Sequence, residues 1–232
     1  YNPLWVTEST LRDRSRTVLG RPDIAVADLV ADGDLFSTKG DGLGLYWVDV
    51  ARPGAKEYVQ GYVRHFADLG VKYLRVDFLS WFETGTDAGI GQVGRAHGRD
   101  AYRTALQWMD EAARDDVMLS LVMPHLYDDA RLELDHGDMV RINADADRGG
   151  WGRLSGGRQD YQEDWPNWFN PFSGFAGWSH RAGRGQLILD GDFLMPSTFA
   201  DDDERRTMMN LMVIAGSPIT IADTHATIGG HG

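Results

Sequence analysis

Three short stretches of this sequence carry charged side chains inside segments that otherwise have the composition of buried β-strands. They are Tyr73–Asp77, Val140–Asp145 and Leu187–Asp192. Successive side chains of a strand point to opposite faces, so Arg75 and Asp77 share one face of the first stretch. A charge inside a sheet costs several kcal/mol unless it meets a partner. The chain is therefore restricted to folds in which these strand ends lie close to one another.

The same alternation groups the other polar side chains of these stretches. Arg141, Asn143 and Asp145 share one face of the second stretch, and Asp190 and Asp192 share one face of the third. Each stretch ends in aspartate, so we expect carboxylates to converge at one rim of a sheet. Such convergence is typical of an active site, although ion pairs buried in a barrel core would give the same pattern.

Helical and strand patterns alternate along most of the chain. The predicted helices cover residues 53–70, 99–114, 127–136, 168–180 and 202–215. The predicted strands cover 71–77, 117–123, 138–144, 186–190 and 218–222, with a sixth candidate at 43–48. This alternation is typical of a parallel sheet covered by helices, in an α/β barrel or a doubly wound sheet. Both folds place functional side chains at the carboxyl ends of strands, where the charges fall here.

The first 45 residues are rich in glycine, aspartate and proline. They are predicted to be irregular, with one short helix near Pro22–Val30. A complete eightfold barrel takes about 250 residues. Residues 46–232 hold the β/α units, so residues 1–232 are expected to form an incomplete (β/α)8 TIM-type barrel. The glycine-rich residues 83–98 are predicted to form a loop after the strand that ends at Asp77.

The charge balance excludes several classes of partner. The formal net charge is −12, whereas nucleic acids and anionic membranes are bound through basic patches. No apolar run approaches the ~20 residues of a membrane span, and no signal-peptide pattern opens the sequence. The sequence has no cysteine, which excludes disulfides and thiolate metal sites but leaves the compartment open.

The order of the charged motifs resembles that of the clan of retaining α-glycosidases that contains glycoside hydrolase families 27 and 36. In those families the fourth barrel strand ends in Lys or Arg, one apolar residue and the nucleophilic aspartate, which matches Arg75–Asp77 here. The sixth strand carries an arginine four residues before the acid/base aspartate, which matches Arg141 and Asp145. The seventh ends in an Asp-x-Asp motif, matched by Asp190 and Asp192.

This resemblance, which covers residues 43–223, implies a fold and an activity. The chain would carry the barrel from the end of its third strand through its eighth, with Asp77 as nucleophile and Asp145 as general acid/base. The implied reaction is retaining hydrolysis through a glycosyl-aspartate, on α-galactosides or on α-linked oligo- or polysaccharides such as isomalto-glucans. A carbohydrate is the implied partner, with no cofactor and no metal. The oligomeric state is open, and a secreted or cell-surface location is slightly favoured.

The two-carboxylate chemistry explains why these residue types occur together. A retaining glycosidase needs two carboxyl groups about 5–5.5 Å apart, one to attack the anomeric carbon and one to protonate the leaving oxygen. We predict about this separation for Asp77 and Asp145. Arg75 is expected to keep Asp77 ionised by lowering its pKa. Asp147 is expected to raise the pKa of Asp145, and Arg141 to steer its position.

The sequence departs from the family pattern after the fifth strand. Family 27 α-galactosidases usually have a Cys-Glu-Trp-type segment there, whereas this chain has Met123-Pro124-His125. His125 is the one strong polar group of the three, so we expect it to contact the sugar. Aromatic residues after the acid/base strand could form a wall for further sugar units, or could simply be core; they are Trp151, Tyr161, Trp165 and Trp168. Substrate binding is assigned to Arg75, Arg141, Asp190, Asp192, His125 and Trp151.

Two other functional classes fit parts of the pattern. One is a non-catalytic carbohydrate-binding barrel, and the other is a metal-dependent barrel hydrolase that uses His125, Asp128 and Asp129. Gly89–Gly94 matches a dinucleotide-binding fingerprint by letter. It does not sit directly between a strand and a helix as that motif requires, so we interpret it as part of a β–α loop.

Overall fold

The structure, a computed structural model, describes most of the chain. The described residues are 2–37, 44–84, 86–87, 91–92, 98–114, 116–143, 151 and 170–227. The strands are β1 (Trp5–Thr7), β2 (Thr17–Val18), β3 (Arg21–Ala25), β4 (Val30–Ser37), β5 (Leu45–Val48), β6 (Tyr73–Val76), β7 (Thr86–Asp87), β8 (Gly91–Gln92), β9 (Met118–Leu121), β10 (Met139–Arg141) and β11 (Ile188–Asp190). The α-helices are α1 (Glu8–Arg12), α2 (Ala55–Asp68), α3 (Leu79–Thr84), α4 (Arg99–Ala113), α5 (Tyr127–His136), α6 (Pro171–Trp178) and α7 (Asp202–Ala215).

A sheet of parallel strands forms the centre of the fold. Strands β6, β9, β10 and β11 lie side by side in chain order, and each neighbouring pair is parallel. Helices lie between them in the sequence, as the apolar pattern predicts. This is the arrangement of one part of a (β/α)8 barrel, so the predicted fold class is confirmed.

The ends of the helices follow from local sequence. α2 begins behind Gly54, whose left-handed backbone (φ +89°) turns the chain into the helix. α7 begins after Asp201, whose carboxylate accepts the N–H of Glu204, and ends at Gly216 in the left-handed conformation (φ +67°). The helix predicted from residue 168 begins at Pro171, where the side chain of the preceding residue caps it. The predicted helices are therefore present, with small shifts at their ends, except that the first turn of α5 has left-handed backbone at Asp128–Ala130 (φ +54° to +61°).

One level of the parallel sheet is entirely apolar and faces the helices. Its members are register partners on the four strands and are at most 2% exposed; they are Val76, Leu121, Val140 and Leu189. Because side chains alternate along a strand, the residues one position before or after this level point to the other face, which is the barrel interior.

The described residues among the first 45, which are 2–37 and 44–45, form short strands and helical turns, so the expectation that they are irregular is wrong. β5 pairs antiparallel with both β1 and β4. β2 and β3 form a hairpin joined by Leu19 and Gly20, and Gly20 supplies the left-handed φ (+80°) that a tight turn needs. The helix expected near Pro22–Val30 is one turn of 3₁₀ helix at Val26–Leu29. Most of these strands are too short, and too rich in turn residues, to show an alternating pattern.

Three further elements differ from the prediction. The candidate strand at 43–48 exists as β5 but belongs to the antiparallel sheet, because it pairs with β1 and β4. The strand predicted at 218–222 is represented, in the described part of the chain, by a parallel bridge between Leu194 and Ile221. The predicted loop over 83–98 begins inside α3, a six-residue helix too short to produce a helical period, and includes the β7–β8 pair.

Candidate active site

On three of the four parallel strands, the interior residue at the carboxyl end is polar; beyond β9 it is the buried Val122. Arg141 and Asp190 are register partners on β10 and β11, one residue beyond the apolar level. Asp77 directly follows Val76 and therefore lies at the same level beyond β6. The strand phase thus places an arginine and two aspartates in one row.

Two arginines and two aspartates form a buried ion cluster here. Arg75 donates from Nη1 to Asp190 Oδ2 at 2.9 Å and from Nη2 to Asp192 Oδ1 at 3.2 Å. Arg141 donates from Nη1 to the same Asp192 oxygen at 3.3 Å, and from Nε to the carbonyl oxygen of Asn143 at 3.2 Å. The aspartate side chains are at most 2% exposed, the Arg141 side chain 4% and the Arg75 side chain 28%. Two positive and two negative charges therefore balance where little water reaches.

The contacts of Arg75 also reveal the curvature of the sheet. β6 and β11 are its two edge strands, yet Arg75 on one binds Asp190 on the other. With about 4.8 Å between neighbouring strands, a flat sheet would hold these edges about 14 Å apart, more than an arginine side chain spans. The sheet therefore curves around these side chains as a barrel wall does.

Burial and ion pairing act in opposite directions on the pKa values of the cluster. Burial raises the pKa of Asp190 above its ordinary value, although the Arg75 guanidinium lowers it. Burial lowers the pKa of Arg75, but the carboxylates of Asp190 and Asp192 together outweigh this effect and raise it. Arg75 is therefore a permanent cation at neutral pH.

Replacing Asp192 with asparagine is expected to destabilise the protein, because the amide removes the charge that Arg75 and Arg141 share. Removing one partner of a buried ion pair lowers the free energy of unfolding by about 3–5 kcal/mol. Denaturation of the full-length wild-type and Asp192→Asn proteins measures the difference. Asp202→Asn, which removes a carboxylate that is 75% exposed and paired with Arg205, is the matched control and should change little. Equal stability of both variants would show that the cluster does not stabilise the fold.

Asp77 is held by contacts to the backbone at the end of β6. Its Oδ1 accepts the N–H of Phe78 at 2.7 Å, and its backbone carbonyl accepts the side-chain amide of Asn2. The contacts of Arg75 differ from the expectation that it lies against the Asp77 carboxylate, and its effect on the pKa of Asp77 stays a prediction. The arginine side chain crosses the barrel interior, and its hydrogen bonds to carboxylates go to Asp190 and Asp192.

Left-handed backbone marks the ends of three parallel strands. Phe78, Met123 and Asp192 follow β6, β9 and β11, with φ of +60°, +56° and +72°. A non-glycine residue in this region costs about 1–3 kcal/mol, and such residues cluster at active sites and ligand clamps. The strain therefore coincides with the rim at which the charged residues meet.

A second set of buried polar side chains includes His125, in the loop after β9. His125 Nδ1 is 2.9 Å from Glu83 Oε2, and both side chains are at most 4% exposed. The other oxygen of Glu83 accepts Nη1–H of Arg99 at 2.9 Å. The His125 ring stacks on Tyr127, with centroids 4.6 Å apart and 10° between the planes. Sequence reasoning identified His125 but missed Glu83, because α3 was taken for loop.

Aromatic side chains lie beside Asp77. The ring of Phe78 packs 5.6 Å from Trp5 and 4.9 Å from Trp81, and all three are partly exposed. Trp151 packs edge-on against Phe172 at 6.0 Å. The other predicted residues lie outside the described part of the chain: Asp145, Asp147, Tyr161, Trp165, Trp168 and most of Gly89–Gly94. The separation of the two catalytic carboxyl groups therefore stays a prediction.

The aspartates considered as metal ligands are engaged in ion pairs. Asp128 lies 3.3 Å from Arg99, and Asp129 lies 2.7 Å from His180 and 2.5 Å from Arg181. Within the described ranges, no group of three or more His, Asp or Glu side chains is arranged to hold a metal ion. No helix in that same part of the chain has the length and apolar character to cross a membrane.

Solved glycosidase structures share this fold. A family 27 β-L-arabinopyranosidase from Geobacillus stearothermophilus, solved with arabinose, is 20% identical with a TM-score of 0.64, over 93% of this chain and 46% of its own. An α-galactosidase from Thermus thermophilus, solved with stachyose, is 20% identical with a TM-score of 0.61, over 99% and 47% respectively. At this identity the likeness shows the fold alone. The chain is part of a (β/α)8 barrel of the kind these glycosidases have.

A far closer similarity is to isomalto-dextranase from Arthrobacter globiformis. That enzyme is 65% identical over 229 residues, which are 99% of this chain and 36% of the enzyme. Its structure in complex with panose is 64% identical, with a TM-score of 0.92 over 100% of this chain and 39% of the solved one. The chain thus spans little more than a third of this relative, and no protein-family model matches it. The resemblance to the clan of families 27 and 36 is confirmed.

Proposed function

We propose that this chain is the catalytic barrel part of a retaining α-glycoside hydrolase that acts on α-linked glucans. The observation that carries the proposal is the 65% identity to an isomalto-dextranase across nearly the whole chain. The charged cluster supports it, because enzymes of this fold hold their catalytic and binding groups at the carboxyl ends of the strands.

In the proposed reaction, Asp77 is the nucleophile and Asp145 the general acid/base. The Asp77 carboxylate attacks the anomeric carbon, while Asp145 gives its proton to the departing glycosidic oxygen, and a glycosyl ester of Asp77 forms. Asp145 then takes a proton from water, whose oxygen attacks the anomeric carbon and releases Asp77. Two inversions give net retention of the α configuration.

The ion cluster is proposed to bind the sugar. Carboxylate oxygens accept several hydrogen bonds each, so Asp190 and Asp192 can accept from arginines and from sugar hydroxyls together. Arg75 and Arg141 fix the orientation of these carboxylates, which reduces the ordering needed on binding. Because the cluster carries two charges of each sign, it adds no net charge near the oxocarbenium-like transition state.

The glucan preference can be tested with a substrate panel on the full-length protein. We expect kcat/KM on isomalto-oligosaccharides or dextran to exceed that on nitrophenyl α-galactoside by at least about a hundredfold, because a mispositioned hydroxyl leaves buried polar groups unsatisfied. Met123-Pro124-His125 replaces the segment that is acidic in family 27 α-galactosidases, which also disfavours galactose. Efficient hydrolysis of the α-galactoside, with no gain on longer glucans, would contradict this preference.

A further inference from the structure

The loop after β9 is fastened to α3 at several points. The backbone N–H groups of Leu79 and Ser80, at the start of α3, donate to the carbonyl oxygens of Val122 and Met123 at 3.3 and 2.6 Å. Glu83 on the same short helix then meets His125 at 2.9 Å. The helix therefore fixes the carboxylate relative to the imidazole.

The surroundings of Glu83 determine the hydrogen-bonding character of His125. One Glu83 oxygen accepts from Arg99, and the other faces His125 Nδ1. A carboxylate paired with arginine only accepts, so in the neutral imidazole Nδ1 carries the proton and Nε2 is the acceptor. Tyr127, stacked on the ring, restricts its rotation.

We infer that Glu83 is a positioning residue, which holds His125 in the tautomer whose Nε2 accepts a hydrogen bond from a sugar hydroxyl. The inference rests on the proposed function and on the prediction that His125 contacts the sugar. Left-handed φ values at Met123 and Leu126 (both +56°) bracket the histidine, so the chain bears strain on both sides of it.

Glu83→Gln tests this role because it keeps the shape and changes the hydrogen-bond pattern. Arg99 has only hydrogen-bond donors, so it donates to the amide oxygen of the new side chain. The amide NH₂ group then faces His125 Nδ1, which must become the acceptor, and Nε2 acquires the proton. Selective ¹⁵N-histidine NMR, with the His125 signals assigned by difference from His125→Ala, should show this exchange of protonated nitrogen.

The expected kinetic effect follows because Nε2 changes from a hydrogen-bond acceptor to a donor. We expect Glu83→Gln to raise KM for isomalto-oligosaccharides about fivefold, the factor that corresponds to one hydrogen bond of average net strength, with little change in kcat. The thermal midpoint should fall, because Arg99 loses its buried carboxylate partner. Glu133→Gln is the matched control. Glu133 is fully buried nearby, and its Oε1 accepts a hydrogen bond from the hydroxyl of Tyr102 at 2.8 Å. Because this hydrogen bond of Glu133 goes to Tyr102 and not to His125, KM should not change.

A double-mutant cycle separates positioning from a structural role. In a His125→Ala background, Glu83→Gln should not raise KM further, because the group that it orients is gone. Additive effects, an unchanged KM in Glu83→Gln, or an unchanged KM in His125→Ala would each overturn the inference. Failure of the proposed function is distinguishable, since activity would then survive Asp77→Asn whatever the Glu83 variants do.

Discussion

Replacing Asp77 with asparagine is expected to abolish turnover in the full-length protein. An amide cannot form the glycosyl ester, so kcat should fall by at least about 10⁴-fold on every substrate, activated aryl glycosides included. The fold should persist, because the contact from Phe78 N–H to the Asp77 side chain can be made to an amide oxygen as well. Initial rates on isomalto-oligosaccharides and on an aryl α-glucoside, together with the thermal midpoint, measure this.

Two controls connect the loss to nucleophilic attack. Asp100→Asn makes the same chemical change at a side chain that is 95% exposed, and should retain full activity. Asp77→Gly opens space at the anomeric carbon, so added azide should restore turnover of an activated substrate and give a glycosyl azide. Substantial activity in Asp77→Asn without an added nucleophile would remove Asp77 from the proposed role.

Replacing Asp145 with asparagine is expected to separate substrates by their leaving groups. Isomalto-oligosaccharides leave as poor alkoxides that need a proton, so their hydrolysis should slow by about 10²–10⁴-fold. Aryl glycosides with acidic phenols leave almost unaided, and formation of the glycosyl-enzyme from them should slow by less than about tenfold. Pre-steady-state bursts of released phenol measure that first step separately from hydrolysis of the intermediate.

The pH profile supplies a second signature of the acid/base residue. Loss of Asp145 should remove the alkaline limb of the pH dependence of kcat/KM, because that limb reports the deprotonation of the general acid. Asp147→Asn, two residues further along the chain, is the natural comparison: it should keep the limb but shift it to lower pH, because Asp147 is expected to raise the pKa of Asp145. Equal losses on both substrate types in Asp145→Asn, with an unchanged alkaline limb, would contradict the assignment.

Strand phase alone predicted how the charged rim is assembled. Arg75 is far in sequence from Asp190 and Asp192. The structure joins them because Arg75 and Asp190 lie on the interior faces of parallel strands and Asp192 follows the second of these strands. These motifs could be recognised in the sequence because burying a charge in an apolar strand costs free energy, so such a charge indicates a partner or a function. Which carboxylate Arg75 pairs with could not be predicted from the sequence. Whether Arg75 turns along its own strand to Asp77 or across the interior depends on sheet curvature, which no local pattern specifies.

Other features of the fold and the site give weak or misleading signals in the sequence. Glu83 lies on a helix of only six residues followed by a glycine-rich stretch, so neither period nor composition marked it. The antiparallel strands near the start are mostly short and contain glycine, proline and aspartate, which favour turns in isolation. Tertiary pairing decides their structure: β1 and β4 pair with β5, and β2 pairs with β3. The left-handed residues at the strand ends are equally invisible, because ordinary side chains occupy them.

Trapping of the glycosyl-enzyme tests the central claim most directly. A fluorinated glucosyl fluoride forms the glycosyl ester quickly, and this ester hydrolyses slowly. The full-length protein should therefore gain one fluorinated glucosyl unit per active site. Peptide mass spectrometry after proteolysis should then locate the added mass on Asp77, and Asp77→Asn should stay unlabelled. Labelling of a different carboxylate, or products of inverted configuration with no trapped ester, would contradict the account.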